Sequence, residues 1–185
     1  MTTSSGEATV RVAVVQAAAV PFDARACVDK AVRLIADAAK QGAKVVVFPE
    51  AFVGGYPKGL GYGLVVGARD PVGREEFRLS YESAIEVPGP LTVPLAEAAA
   101  AHDCHVVMGV IEREHGTCYC TLLFIGREGR ILGKHRKLKP TMYERTVWGE
   151  GDGSTLRVYD RPYGRLGGLN CWEHQMVLPG YALIA

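Results

Sequence analysis

Residues 10–50 read VRVAVVQAAAVPFDARACVDKAVRLIADAAKQGAKVVVFPE, and this stretch decides the fold class. The run VRVAVVQA (10–17) is nearly continuous in β-branched and small apolar residues, which is typical of a strand buried on both faces. Residues 24–41 repeat apolar side chains at helical spacing after a helix-capping Asp23. The run KVVVF (44–48) predicts a second buried strand. A strand, helix and strand in this order predict two parallel strands of an α/β protein.

The rest of the chain continues the α/β pattern as one domain. A tail over 1–9 is predicted to be disordered, and residues 10–185 are predicted to form the domain, since a chain of this length holds one core. A turn is predicted over 112–116, and residues 127–130 predict a hairpin turn. The periodicity predicts helices over 74–85 and 93–102, and strands over 105–111, 117–125, 131–134, 156–159 and 165–169.

Composition excludes several classes of partner. The formal net charge of +1 gives no electrostatic basis for binding nucleic acid or a membrane surface. The longest apolar runs are far too short to span a bilayer. The five cysteines and five histidines show neither disulfide-framework nor zinc-ligand spacing, so we expect reduced thiols, no metal and a cytoplasmic location. Cys118 and Cys120 share one face of a predicted strand, where packing is the favoured role.

Cys171 is the candidate nucleophile. It lies in GGLNCWE (167–173), between strand-like residues and an amphipathic run over 174–185. A cysteine at a strand-to-helix turn is held at the mouth of a sheet, and the N–H groups of the helix start would stabilise its thiolate. The alternative is a buried structural cysteine, which is where most free cysteines lie.

Glu50 and two long loops are the other candidate site features. Glu50 directly follows the second predicted strand, and the sites of open α/β sheets gather at the carboxyl ends of strands. The alternative is a loop glutamate that caps backbone N–H groups. Residues 52–67 are rich in glycine and aromatic residues, which favours a lid or pocket wall carrying Tyr56 and Tyr62, or an ordinary surface loop. Residues 133–154 form a long loop that begins with a basic cluster, which as a simple surface feature would be a solvated or anion-binding patch.

Three segments, in order, resemble the nitrilase superfamily, and its nitrilase branch in particular. FPEAFVGGYP (48–57) resembles the glutamate segment of that family, HRKLKPT (135–141) its lysine segment and GLNCWEH (168–174) its cysteine segment. Three motifs with similar intervening sequence are far more specific than one. The intervening similarity is carried by VMGVIER (107–113), LGKHRK (132–137) and VWGEGDGS (147–154).

The resemblance implies a catalytic triad of Glu50, Lys137 and Cys171, with Glu144 as a second glutamate near the lysine. It also implies a four-layered α-β-β-α sandwich, of which the predicted β-α-β unit would form part. Members of the family continue beyond the cysteine segment, so we expect this chain to be an amino-terminal part of a longer domain. Apolar sheet edges and helix faces should then be exposed.

The activity that the resemblance implies is hydrolysis of an organic nitrile to a carboxylic acid and ammonia, through a cysteine thioimidate and thioester. Water is the second substrate, no cofactor or metal is implied, and the full-length protein is expected to be a homo-oligomer. The alternatives are an amidase or carbamoylase, a cyanide-type hydrolase, and an inactive truncated chain that only assembles with other subunits. The residues expected to contact the substrate are Tyr56, Trp148, Trp172 and His174, although aromatic side chains serve first as core residues.

Overall fold

A computed structural model describes residues 9–185 and shows a mixed α/β arrangement around a five-stranded sheet. The predicted tail over 1–9 lies almost wholly outside the described residues. The elements are β1 (Val12–Val14), α1 (Ala24–Lys40), β2 (Val45–Val47), α2 (Pro71–Glu82), α3 (Val93–Ala101), β3 (His105–Glu114), β4 (Thr117–Ile125), β5 (Ile131–Arg136), a first 3₁₀ helix (Met142–Thr146), β6 (Tyr159–Arg161), β7 (Gly164–Leu166), a second 3₁₀ helix (Cys171–Gln175) and α4 (Val177–Ile184).

The main sheet has the strand order β1-β2-β3-β4-β5. The predicted parallel pairing of the first two strands is confirmed, with Val12 opposite Val45, and β3 continues the parallel part. Strands β3, β4 and β5 are antiparallel neighbours, and the predicted hairpin turn closes with Gly126 N–H donating to the Arg130 carbonyl at 2.8 Å. The carboxyl ends of β2, β3 and β5 therefore lie at the same edge of the sheet.

The first predicted strand is wrong in its length and burial. β1 has only three residues, and the side chains of Val12 and Val14 are 49% and 79% exposed. The reason is its place at the edge of the sheet, where it has one neighbouring strand and no layer of described residues over that face. An apolar run cannot distinguish an edge strand from a central one.

Several boundaries were also predicted wrongly because pairing partners override local signals. β3 extends to Glu114, so the predicted turn over 112–116 shrinks to the positive-φ pair His115 and Gly116. Helix α2 ends at Glu82 because Ile85 pairs with β3 instead. The last two predicted strands shift inward, to β6 and β7, and the chain after Cys171 forms a short 3₁₀ helix before α4 rather than one continuous helix.

Packed layers cover one face of the sheet and part of the other. Helices α1 and α3 pack on one face, where Cys27, Val28 and Ile35 join a core with the inward residues of β2, β3 and β4. On the opposite face, Phe124 of β4 packs against Tyr159 of the β6–β7 hairpin, at a ring distance of 5.0 Å. Within residues 9–185, no helix combines the length and the apolarity needed to cross a membrane.

Candidate active site

Lys137 is the centre of a buried cluster at the carboxyl edge of the sheet. It follows β5 directly, and its backbone N–H donates to the Cys120 carbonyl of β4 at 2.8 Å, which continues the strand pairing and fixes its position. Its side chain is buried, and Nζ donates to Glu50 Oε1 and to Glu144 Oε2, each at 2.7 Å. Burial by itself would lower the pKa of Lys137, but the two carboxylates outweigh it and raise that pKa, so the side chain is an ammonium.

Glu144 is held by three donors. As the third residue of the first 3₁₀ helix, it accepts a hydrogen bond from the Thr141 backbone N–H at 2.6 Å, which forms a capping box. It also accepts the Lys137 ammonium, and the Tyr56 hydroxyl donates to its second oxygen at 2.6 Å. The partial burial of Tyr56 and the nearby Glu144 charge raise the pKa of that phenol, so it remains a donor. This arrangement fixes the position of the ammonium.

Glu50 reaches the cluster because β3 lets the chain pass very close. A Cβ on Gly109 would lie 2.1 Å from the Pro49 carbonyl oxygen, so only glycine fits beneath this crossing. The next residue, Ala51, has a φ of 54°, a left-handed conformation that is costly for a residue with a side chain. The Glu50 carboxylate also accepts a hydrogen bond from the buried Cys120 thiol at 3.3 Å. The sequence favoured a packing role for Cys120. Its position within a strand did not indicate a contact with Glu50.

Cys171 is the exposed member of the five cysteines, none of which is in a disulfide. It is the first residue of the second 3₁₀ helix and has a φ of 53°, again a left-handed conformation. The chain therefore changes direction at Cys171, directly after the extended Asn170. Its thiol lies close enough to Glu50 and Lys137 for both charges to act on it. The structure therefore brings all four predicted catalytic residues into one cluster.

The expected stabilisation of the Cys171 thiolate by a backbone N–H is present, but opposing effects outweigh it. Although the residue as a whole is exposed, partial burial of the thiol raises its pKa, and the Glu50 carboxylate raises it further. Lys137 and the Trp172 backbone N–H act in the opposite direction, but they do not compensate. The Cys171 thiol is thus protonated at neutral pH and lies next to a carboxylate that can accept its proton.

The residues predicted to contact substrate fall in different places. Tyr56 is 46% exposed and lines a cavity of about 590 Å³ between the 56–65 loop and the first 3₁₀ helix, which Glu144 also lines. Trp148 is only 6% exposed; it lies in the core and packs edge-on against the Tyr56 ring at 5.6 Å. Trp172, 64% exposed, and His174, also exposed, do not line that cavity.

The basic cluster that begins the 133–154 loop is neither a freely solvated surface nor an anion patch. Lys134 and Arg136 both pair with the buried Glu112 of β3, and Arg136 also contacts Glu114 at 2.8 Å. His135 and Lys137 point to the opposite side, toward other carboxylates. Each positive charge of β5 therefore has an acidic partner, which a charge count along the sequence cannot reveal.

Glu173 is a site residue that sequence reasoning missed. It is buried, and its carboxylate accepts hydrogen bonds from His135, from the Leu138 N–H and from the Asn170 N–H. Burial alone would raise its pKa, but these donors keep the pKa below its usual range. The spacing Asn170-x-x-Glu173 is a capping-box pattern, like Thr141-x-x-Glu144, and could have identified it.

The carbon-nitrogen hydrolase family matches residues 11–183, which is nearly the whole chain. The chain therefore belongs to the carbon-nitrogen hydrolase family.

Similar proteins include plant nitrilases. The chain is 52% identical over 177 residues to nitrilase 3 of Arabidopsis thaliana, covering 96% of this chain and 51% of that protein. It is 55% identical over 183 residues to a bifunctional nitrilase/nitrile hydratase of Oryza sativa subsp. japonica, covering 97% of this chain and 51% of that protein. The chain thus spans about half the length of the curated relatives it matches.

Solved structures support the fold. A Saccharomyces cerevisiae protein of branch 10 of the nitrilase superfamily superposes with a TM-score of 0.64 at 24% identity, covering 90% of this chain and 56% of that one. An amidase from Nesterenkonia sp. gives a TM-score of 0.64 at 19% identity, covering 89% of this chain and 56% of that one. The fold is that of the nitrilase superfamily, as the sequence predicted.

Proposed function

We propose that this chain carries the catalytic cluster of a nitrilase, which converts an organic nitrile to a carboxylic acid and ammonia. The observation that carries the proposal is the Lys137 ammonium between Glu50 and Glu144, with the Cys171 thiol within reach of the Glu50 charge. The names of the plant relatives support a nitrile as the substrate. The amidase or carbamoylase and the cyanide-type hydrolase have no comparable support among those relatives.

In the proposed mechanism, Glu50 acts as the general base for Cys171. The thiol is protonated at rest, so attack on the nitrile carbon requires that its proton be removed. As the S–C bond forms, Glu50 takes the proton and then returns it to the nitrile nitrogen, which gives a thioimidate. General-base help of this kind contributes about 10²–10⁴-fold to the rate.

Lys137 stabilises the negative charge that develops on nitrogen, and Glu144 holds the ammonium in place. Water, activated by Glu50, adds to the thioimidate carbon to give a tetrahedral intermediate. Transfer of the hydroxyl proton to the amino group expels ammonia and leaves a thioester. A second water then releases the carboxylic acid and restores the thiol.

Hydration to an amide is the second candidate activity, because one relative is named a bifunctional nitrilase/nitrile hydratase. The same tetrahedral intermediate would then expel the Cys171 thiolate instead of ammonia. The ratio of amide to acid, measured by chromatography of the products, distinguishes the two outcomes.

We also propose that the full-length protein is a cytoplasmic homo-oligomer. The five unpaired thiols support a reducing compartment, and four exposed apolar side chains on α4 support association. These side chains are Val177, Leu178, Tyr181 and Ile184. Sedimentation velocity over a range of concentrations tests the association.

Cys171→Ala tests the nucleophile. We incubate the chain with phenylacetonitrile and follow intact mass and ammonia release together. The parent should release ammonia and carry a covalent adduct, either the thioimidate, with the added mass of one nitrile, or the thioester that remains after ammonia leaves. Cys171→Ala should do neither and should keep its melting temperature, because Cys171 is an exposed side chain.

Cys104→Ala is the matched control, because Cys104 is buried in the core away from the cluster. It should retain the adduct. An adduct on Cys171→Ala, or neither adduct nor ammonia from the parent chain, contradicts the proposal.

A further inference from the structure

We infer that Glu173 is a positioning residue: a single buried carboxylate that binds the backbone beside both Lys137 and Cys171 and so sets the distance between them. The inference rests on the proposed function, because it assumes that the distance between Lys137 and Cys171 matters for catalysis. Glu173 contacts neither a reacting atom nor the proposed substrate cavity.

The two carboxylate oxygens divide their contacts between the two segments. Oε1 accepts the N–H of Leu138, which directly follows Lys137, at 2.7 Å. Oε2 accepts the N–H of Asn170, which directly precedes Cys171, also at 2.7 Å. The lysine segment and the cysteine segment are about 30 residues apart in sequence, and this side chain joins them.

His135 supplies the third donor and orients the carboxylate. Its Nε2 lies 3.2 Å from Oε1 and 3.1 Å from Oε2 of Glu173, so it must carry a hydrogen on that nitrogen. Both side chains are about 1% exposed, which excludes water as a competing partner. His135 lies two residues before Lys137 on β5, so it ties the carboxylate to the strand that positions the ammonium.

The backbone at Cys171 needs such an anchor. A non-glycine residue at a φ of 53° persists only where the surrounding contacts determine its conformation. The bond from Asn170 N–H to Glu173 fixes the residue immediately before Cys171, within the turn that Glu173 itself closes. Loss of this bond should let the turn relax and move the thiol away from Glu50 and Lys137.

The test measures where the Cys171 thiol lies without requiring nitrile turnover. The groups that act on this thiol are Glu50 after β2, Lys137 after β5 and the Trp172 N–H of its own turn. We measure the rate of iodoacetamide alkylation of Cys171 against pH by peptide mass spectrometry, and the melting temperature in parallel. The other four cysteines are buried and react slowly, because burial raises their pKa.

Glu173→Gln should lower the pH midpoint of Cys171 alkylation. Glutamine has the same size but offers one acceptor and one donor group, so one of the two backbone N–H groups loses its partner. With the thiol less buried and farther from Glu50, its pKa should fall, and alkylation at about pH 7.5 should be several-fold faster than in the parent.

Glu112→Gln is the matched control, because Glu112 is an equally buried carboxylate that binds the opposite side of β5. It should lower the melting temperature and leave the midpoint unchanged. His135→Gln keeps a donor for Glu173 and should behave like the parent, whereas His135→Leu should give an intermediate midpoint.

An unchanged midpoint in Glu173→Gln, or an equal shift in Glu112→Gln, overturns the inference. If Glu173→Gln does not fold, the pH midpoint of Cys171 alkylation in His135→Leu is used instead, and an unchanged midpoint there overturns the inference. Because alkylation needs no nitrile, a failed nitrilase assay leaves this result standing, and a failed alkylation result leaves the nitrilase proposal standing.

Discussion

Lys137 shows how a buried charge is kept in this protein. A lone ammonium in the interior is unfavourable, but here two carboxylates lie 2.7 Å from the same nitrogen. The cluster leaves Glu50 and Glu144 with one ammonium between them, so the net charge beside Cys171 is negative. Partial burial of the neighbouring Cys171 thiol, together with the Glu50 charge, explains why the pKa of that thiol is raised rather than lowered.

Glu50→Gln should lower the pKa of Cys171 while abolishing reaction with nitriles. The Glu50 charge raises the thiol pKa, so removal of that charge should lower the pH midpoint of alkylation. The part of the upward pKa shift that burial causes should remain. The same change removes the proposed base. Alkylation rates from pH 6 to about pH 10 and nitrile adduct formation measure the two effects.

Glu150→Gln is the control for this variant, since Glu150 forms an exposed pair with Lys139 outside the cluster. It should alter neither quantity. A midpoint that stays constant or rises in Glu50→Gln would show that the Glu50 charge does not act on the thiol.

At the scale of elements, the site depends on a close crossing over β3. The segment from Pro49 to Ala51 passes directly over Gly109, and the bond from Val53 N–H to the Gly109 carbonyl, 3.0 Å long, holds it there. Strand β3 therefore contributes to the site because Gly109 has no side chain, which leaves room for the Glu50 segment. The distance from a Cβ at this position to the Pro49 carbonyl oxygen explains physically why the residue is glycine.

Gly109→Ala should displace Glu50. The new Cβ would meet backbone atoms of Pro49 and Glu50, which cannot rotate away as a side chain could. We expect a loss of about 1–3 kcal/mol in the free energy of unfolding, the usual cost of overpacking, and a lowered midpoint of Cys171 alkylation. Chemical denaturation and the alkylation profile measure these.

Gly180→Ala provides the comparison, because nothing lies within 4 Å of a Cβ at that position in α4. It should be neutral or slightly stabilising, as alanine favours a helix more than glycine does. Equal stability of the two variants would contradict the claim that the crossing over β3 leaves no room for a side chain at Gly109.

At the scale of the whole molecule, two buried carboxylates link the sheet to its surroundings. Glu112 joins β3 to β5 through Lys134 and Arg136, and Glu173 joins β5 to the turn at Cys171. For both groups burial acts to raise the pKa, but the hydrogen bonds they accept outweigh it and lower the pKa. Stability should therefore depend on pH in the acid range.

The fold should lose stability in acid. A carboxyl group whose folded pKa lies below its unfolded value stabilises the fold above the unfolded pKa, about 4.3, and this contribution disappears as pH falls through the folded pKa. The melting temperature should be constant from about pH 7 to about pH 5 and should fall below about pH 4. Differential scanning calorimetry over this range measures it.

Glu112→Gln should lower the melting temperature at pH 7 by about 10 °C, because removal of one partner of a buried ion pair costs about 3–5 kcal/mol. It should also weaken the acid dependence, since one of the responsible groups is gone. If the melting temperature of Glu112→Gln falls in acid as steeply as that of the parent, carboxylates other than Glu112 cause the acid dependence.

Sequence reasoning reached the fold class, the parallel β-α-β start and the residues of the central cluster. The helix of residues 24–40 and the hairpin between β4 and β5 could be predicted because apolar spacing and turn residues are local properties. The positions proposed for the triad came from the resemblance of three motifs. The capping-box spacing of Glu144 and Glu173 was also present in the sequence, although only Glu144 was singled out.

The tertiary structure decided what depends on distant neighbours. It decided that β1 is an exposed edge strand, that Trp148 is a core residue and that the basic cluster of β5 is paired with carboxylates. It also decided the net direction of the Cys171 pKa shift, because burial and the Glu50 charge outweigh the N–H of the helix terminus. The physical reason is that burial and electrostatics sum over residues close in space, whereas motifs and periodicity report only residues close in sequence.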